Sequence, residues 1–285
     1  MVYTEGVCSV LIRISINNLK KLEMTNFNEN KKIDGFSVTH INWTDLSWNP
    51  WTGCSKVSAG CKFCYMDNFE IKNGRDPKVV KRTARLTFEK PLKVSTPSKI
   101  FTCSMSDFFH PEADEWRKEA WEIIRRTPHH TYQILTKRPE RIKNCLPEDW
   151  CRENYSHVWL GVSVENNEAE IKERIRILRE VPCEVRFISF EPLLDEVKLE
   201  SAELEGIHWG IIGGESGRYK DGRIPQFREA NPEWFRNLIK ILKESNVKVW
   251  FKQAGTYLAI KYNLKGKGDL LSQLPQDLRF REMPS

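Results

Sequence analysis

Three cysteines of this chain, Cys54, Cys61 and Cys64, fall in one short stretch with the spacing C-x6-C-x2-C, out of eight cysteines in all. Gly53 and Gly60 let the backbone around them turn tightly and aim amides inward, as a thiolate cluster requires. A structural zinc site usually takes four ligands as two paired knuckles, and no second C-x2-C pair exists here. Three thiolates on a four-iron cluster leave one iron open to a cofactor or substrate, so the ligand count argues for chemistry. The alternatives are a zinc ion completed by His40, Cys103 or His110, or a set of unrelated buried thiols. Cys8, Cys145, Cys151 and Cys183 are scattered and read as incidental.

The elements that must position this loop follow a rhythm. Residues 40–44 predict a first strand, and the loop then leads into a helix over 61–72. Further strands are expected over 99–105, 130–135, 157–164, 184–190, 207–212 and 247–251. Helical stripes separate them at 113–126 (Trp116, Ala120, Ile123, Ile124) and 168–179 (Ile171, Ile175, Leu178). Pro139 opens a short helix, and Asn231 caps another that has Pro232 at its first position. Strands alternating with helices predict an α/β fold with a parallel sheet, here a partial (βα)6-type barrel. The link over 193–206 shows no strong helix. Residues 1–30 read as an N-terminal extension, 31–255 as a single barrel domain and 256–285 as a C-terminal tail.

Each apolar strand runs into a polar group at its C-terminal end: Ser106 and Asp107, Thr136-Lys137-Arg138, Ser163 with Glu165 and Asn166, Ser189 with Glu191, Gly213-Gly214-Glu215, and Lys252-Gln253. In parallel α/β barrels the active site lies at that end. One such carboxylate could be a helix cap; six strands showing the pattern point to a common mouth, which the cysteine loop shares because it follows the first strand.

Composition sets further bounds. Lys and Arg (45) exceed Asp and Glu (39), a formal net charge of +6. The charge is uneven, with nine Lys or Arg against four Asp or Glu between Tyr65 and Lys99. Such a run is usually a solvated face, but beside a reactive site it can guide nucleic acid. No run of eighteen apolar residues exists, which predicts no membrane span. Residues 1–15 lack the basic and cleavage features of a secretion signal, so a cytoplasmic location is expected, where clustered thiols are metal ligands more often than disulfides.

The assembled blocks resemble the three-Cys-motif phage protein family, a phage- and prophage-associated group of uncertain function. They are Trp43-Thr44-Asp45, Trp48-Asn49-Pro50-Trp51-Thr52-Gly53-Cys54, Ser104-Met105-Ser106-Asp107-Phe108-Phe109-His110 and Gln133-Ile134-Leu135-Thr136-Lys137-Arg138-Pro139-Glu140-Arg141. Trp159 to Asn166, Arg186 to Leu193, Gly213 to Gly217 and Phe251-Lys252-Gln253 complete them. That family resembles radical S-adenosylmethionine enzymes in turn, and Cys61-Lys62-Phe63-Cys64 has the C-x-aromatic-C form that ends their signature. The usual signature has three residues between its first two cysteines where this chain has six. Its Gly-Gly-Glu segment after the second strand is replaced here by Ser104-Met105-Ser106-Asp107.

The resemblance implies a [4Fe–4S] cluster on Cys54, Cys61 and Cys64, with S-adenosylmethionine on the open iron and Phe63 against its adenine. Reductive cleavage of that cofactor gives a 5′-deoxyadenosyl radical, and an electron donor is then required. Ser106, Asp107, Ser163, Glu165, Gly213, Gly214 and Glu215 are candidates for holding cofactor or substrate, with Lys137 and Lys252 as cations for a carboxylate or phosphate. The expected substrate is a nucleic acid or nucleotide. The second reading is a non-catalytic zinc or iron–sulfur module that works with a partner protein encoded nearby.

Overall fold

A computed structural model of the chain describes residues 31–284. The predicted extension over 1–30 lies outside the described residues. Residues 31–38 belong to one unit and form a small antiparallel hairpin, Lys32–Ile33 with Phe36–Ser37; residues from 39 onward form a second.

The second unit is built on a seven-stranded, wholly parallel sheet. In chain order its strands are β1 (Leu46–Trp48), β2 (Lys99–Thr102), β3 (Thr131–Thr136), β4 (Val158–Ser163), β5 (Val185–Phe190), β6 (Trp209–Gly213) and β7 (Lys248–Gln253). They lie side by side in that same order, each pairing only with its neighbours in the sequence. Sequential order is what right-handed β–α–β crossovers give when every helix packs on one face. The strands read as unbroken apolar runs because both faces are covered.

The main helices are α1 (Tyr65–Lys72), α2 (Asp114–Arg126), α3 (Ala169–Arg179) and α4 (Pro232–Glu244). Helix α3 buries Ile171, Arg174, Ile175 and Leu178, and α4 buries Phe235, Leu238, Ile239 and Leu242, each the inward stripe of an amphipathic helix. Asn231 caps α4 as expected, its side chain accepting from the Glu233 N–H at 3.0 Å.

Trp43, Phe101, Phe187, Trp209 and Ile211 fill the sheet's concave side, with Leu135, Trp159 and Trp250 packed against them. Asn42 ties the two edges together. Its Oδ1 accepts from Trp250 Nε1 at 3.0 Å and its Nδ2 donates to the Lys252 carbonyl at 3.2 Å. The segment entering the first strand therefore touches the last strand, and the sheet is a partial barrel with an aromatic floor. Residues 280–282 cover the far side of β7 through Phe251 N–H to Phe280 O and Glu282 N–H to Val249 O, both 2.9 Å. The C-terminal segment thus shields an edge that would otherwise be open.

Two expected elements differ. The first strand begins at Leu46, not His40, because Asn42 and Trp43 turn into the barrel floor. The helix expected from Cys61 begins at Tyr65: a 3-10 turn, Ala59–Cys61, is broken by extended backbone at Cys64, ψ 130°. The link between β5 and β6 carries only a 3-10 turn, Ser201–Leu204, closed by a reciprocal Glu200–Glu203 capping box.

Candidate functional site

The cysteine loop leaves the short strand after β1 at Gly53. There φ is +88°, and a Cβ would lie 2.2 Å from the Val79 carbonyl oxygen, so only glycine fits. The Gly53 N–H donates to Met105 O at 3.1 Å and the Cys54 N–H to Pro77 O at 2.9 Å. All three thiols are partly buried. Burial pushes the Cys54 thiol up to about 11, with Asp107 and Cys61 adding to the shift and Arg138 opposing it. Cys64 is pushed up by burial too; the Met66 backbone N–H opposes this, and Asp67 and Cys61 reinforce it. The soft donors fit a thiophilic metal or cluster. Among the described residues no group of three or more His, Cys, Asp or Glu side chains stands in ligating geometry, so closing all three sulfurs on one centre requires the loop to adjust.

Three ion pairs, each with its carboxylate buried at the C-terminal end of a different strand, hold the loop. After β2 and β3, Asp107 Oδ2 accepts from Arg138 Nη1 at 3.1 Å and from the Lys137 N–H at 3.0 Å. Its Oδ1 accepts from Thr136 Oγ1 at 2.7 Å and the Phe109 N–H at 2.9 Å. Arg138 reaches on into the loop, donating to Ser55 O at 2.9 Å and Ser55 Oγ at 2.8 Å, with Nη1 3.6 Å from Cys54 Sγ.

After β4, Glu165 is fully buried and accepts from Arg174 Nη1 at 2.9 Å and from the Ser58 hydroxyl. The loop passes so close that a Cβ on Gly60 would sit 2.5 Å from Glu165 Oε1. After β6, Glu215 accepts from the Arg228 N–H at 2.7 Å and Nε at 2.9 Å, and also from its Nη2. Arg228 Nη1 donates in turn to Ala59 O at 3.0 Å, and its guanidinium lies 5.5 Å from the centre of the Phe63 ring.

The remaining expected residues divide by what they touch. The Ser106 hydroxyl donates to Gly53 O, so it braces the loop. Ser163 is buried at the end of β4, in register with Ser189 of β5. Gly213 and Gly214 allow close approach: a Cβ would meet the Glu191 carboxylate carbon at 3.2 Å and Ala254 O at 2.2 Å, respectively. Lys252 is bound to Glu191 at 2.7 and 2.8 Å. The partly buried Lys137 ammonium makes no ion pair among the described residues, and its charge offsets a small part of the upward push on the Cys64 thiol. It is therefore available to a ligand's anion. Phe63 lies beside the same loop, partly exposed.

Several residues that matter here were not among the expected ones. Arg174 and Arg228 supply the inner ion pairs, Asn49 holds Met105 N–H at 2.8 Å, and Tyr65 donates to Ser104 O. Nothing in sequence spacing distinguishes Arg174 from the solvated arginines of its helix. His110, an alternative zinc ligand, uses both ring nitrogens: Nδ1 accepts from the Glu112 N–H at 3.3 Å, leaving Nε2–H for Ser55 Oγ at 2.9 Å. Cys103 is buried and His40 exposed. In the basic run, Arg75, Arg82, Arg85 and Lys99 pair with Glu70, Glu119, Glu89 and Asp45, whereas Lys72, Lys78 and Lys81 stay exposed.

The chain belongs to the DUF5131 family, described as a protein of unknown function, whose model matches residues 38–283. No curated protein and no solved structure matches it significantly. No helix among the described residues is long and apolar enough to cross a membrane.

Proposed function

We propose that this member of the DUF5131 family is an iron–sulfur protein of the radical S-adenosylmethionine type, acting on a nucleic acid or nucleotide. The observation that carries the reading is the convergence of three ion pairs, each with a buried carboxylate, from separate strand ends on one loop bearing three thiols. A loop with only a scaffolding role does not need bracing from three sides at the mouth of a parallel barrel.

Cys54, Cys61 and Cys64 would hold a [4Fe–4S] cluster. When bound, the cluster and S-adenosylmethionine supply a 5′-deoxyadenosyl radical by one-electron cleavage of the sulfonium, and the protein contributes position and exclusion of water. Asp107, Glu165 and Glu215 act on the loop as positioning residues, through Arg138, Ser58 and Arg228. Lys137 is the cation for a ligand carboxylate or phosphate, and Phe63 a ring surface for adenine. Gly213 and Gly214 let the rim pack closely on Glu191 and the Ala254 carbonyl, and Ser163 lies buried beneath it at the end of β4. Lys252 and Glu191 neutralise each other near the rim until a charged ligand competes for one of them.

Metal analysis after anaerobic reconstitution tests the first half of this reading. About four irons and four sulfides per chain are expected, falling to background in Cys61→Ser. One zinc per chain with no iron uptake would replace the reading with that of a zinc module serving a partner protein.

A further inference from the structure

The loop that follows β6 does more than deliver Arg228 to Glu215. Residues 218–228 contain Arg218, Lys220, Arg223 and Arg228 against a single acid, Asp221. Tyr219–Lys220 pairs antiparallel with Ile224–Pro225 across the three residues Asp221-Gly222-Arg223; Asp221 and Gly222 have φ +51° and +70°, and the Arg223 N–H donates to Lys220 O at 3.1 Å. Positive φ at both central positions of the turn closed by that hydrogen bond makes a tight, defined hairpin. Phe227, buried, meets the Tyr219 ring edge-to-face at 5.2 Å between centroids, yet Tyr219 stays 46% exposed. The ring is thus held in place with a face free. Lys220 and Arg223 beside it are exposed and make no ion pair among the described residues.

The hairpin is tied to helix α1. Arg218 Nη2 donates to Asn68 Oδ1 at 3.4 Å. On α1, Tyr65, Phe69 and Lys72 fall at i, i+4 and i+7 and so share a face; Tyr65 is 55% and Phe69 50% exposed. The acids of that helix are already neutralised, Asp67 by Lys56 at 2.8 Å and Glu70 by Arg75. Exposed rings, together with Lys220, Arg223 and Lys72, which make no ion pair among the described residues, therefore run from the hairpin along α1 toward Cys64, which immediately precedes that helix.

We propose that the hairpin and the outer face of α1 form a binding surface for single-stranded nucleic acid, which feeds a nucleotide into the mouth beside the cysteine loop. Exposed rings offer stacking platforms to any base, and cations spaced between them follow the phosphates. A duplex keeps its bases stacked on each other and cannot use the rings. The inference rests on the proposed function only in taking the mouth as the reactive site.

Fluorescence anisotropy with a labelled oligothymidylate of about 12 nucleotides, a length within single-strand site sizes, tests it on the full chain. No S-adenosylmethionine is added, and the protein is assayed with and without reconstituted iron. Binding that prefers the single strand to a duplex of equal length is expected. Y219A should weaken it on the order of tenfold while Y219W retains it. Replacing Lys220 and Arg223 together by Gln should flatten the salt dependence by about 0.7 per lost phosphate contact. Far-ultraviolet circular dichroism should be unchanged, since these side chains are exposed. Equal affinity for polyglutamate would overturn the inference in favour of an acidic protein partner, and no oligonucleotide binding, or binding indifferent to all three substitutions, would overturn it outright. A silent radical assay would leave a positive binding result standing, and the reverse holds too.

Discussion

Arg228 Nη1 donates a hydrogen bond to the Ala59 carbonyl at 3.0 Å, joining residues 169 positions apart. That contact makes the segment after β6 a brace for the turn between Cys54 and Cys61. Replacing Arg228 with Ala removes the brace and leaves Glu215 buried without its cation. A loss of about 2 kcal/mol is expected, less than for a fully buried pair because Arg228 is partly exposed. Denaturant titration reads it. Adding Glu215→Gln to Arg228→Ala should recover part of the stability and none of the iron uptake.

The Arg138–Asp107 pair is buried on both sides. Arg138→Ala strands a carboxylate that keeps only neutral donors, and a loss of about 3–5 kcal/mol is expected. Arg138→Lys keeps the charge but not the two-pronged reach to Ser55. It should therefore retain more stability than Ala while losing cluster occupancy, a split that metal analysis beside thermal melting detects.

At Gly60 the loop packs directly against Glu165 at the end of β4. An alanine there would overlap Glu165 Oε1, and that carboxylate cannot yield because Arg174 and Ser58 hold it. Gly60→Ala should cost about 1–3 kcal/mol and displace Cys61. Iron content falling well below the wild-type value, in protein that is still folded, is the expected result; unchanged loading would show the loop can shift freely.

Cys54 gives a pH dependence whose sign follows from burial. Its thiol is raised above the ordinary value to about 11, so folding favours the protonated form. In metal-free protein the resulting stability is fully present below about pH 8.5 and is lost as pH rises toward 11. Thermal melting across that range should fall in the wild type and fall less in Cys54→Ser. Iron binding opposes the shift, because ligands bind as thiolates, and should release protons measurable in weakly buffered solution.

Six of the seven parallel strands and their polar ends were legible in the sequence because a buried parallel strand needs an apolar run and its end needs polar residues. Asp107, Glu165 and Glu215 could be located at the mouth this way. Their partners could not: that Arg174 turns inward from α3, and that Arg228 returns across a hairpin to the cysteine loop, depend on tertiary contacts with no period in sequence. Residues 40–44 misled for a related reason. Their alternating apolar pattern fits a strand, yet Trp43 satisfies it by filling the barrel floor. The hairpin at 219–225 carries a recognisable Asp-Gly turn, but it is too short to stand out beside the seven strands.

Radical chemistry at the three-thiol loop can be read in one anaerobic experiment: reduce the reconstituted protein, add S-adenosylmethionine and an oligonucleotide, and quantify 5′-deoxyadenosine alongside the electron paramagnetic resonance spectrum. A spectrum altered by S-adenosylmethionine and formation of 5′-deoxyadenosine are expected, both abolished by Cys61→Ala. A spectrum indifferent to S-adenosylmethionine, with no 5′-deoxyadenosine formed in the presence of oligonucleotide, would contradict that chemistry.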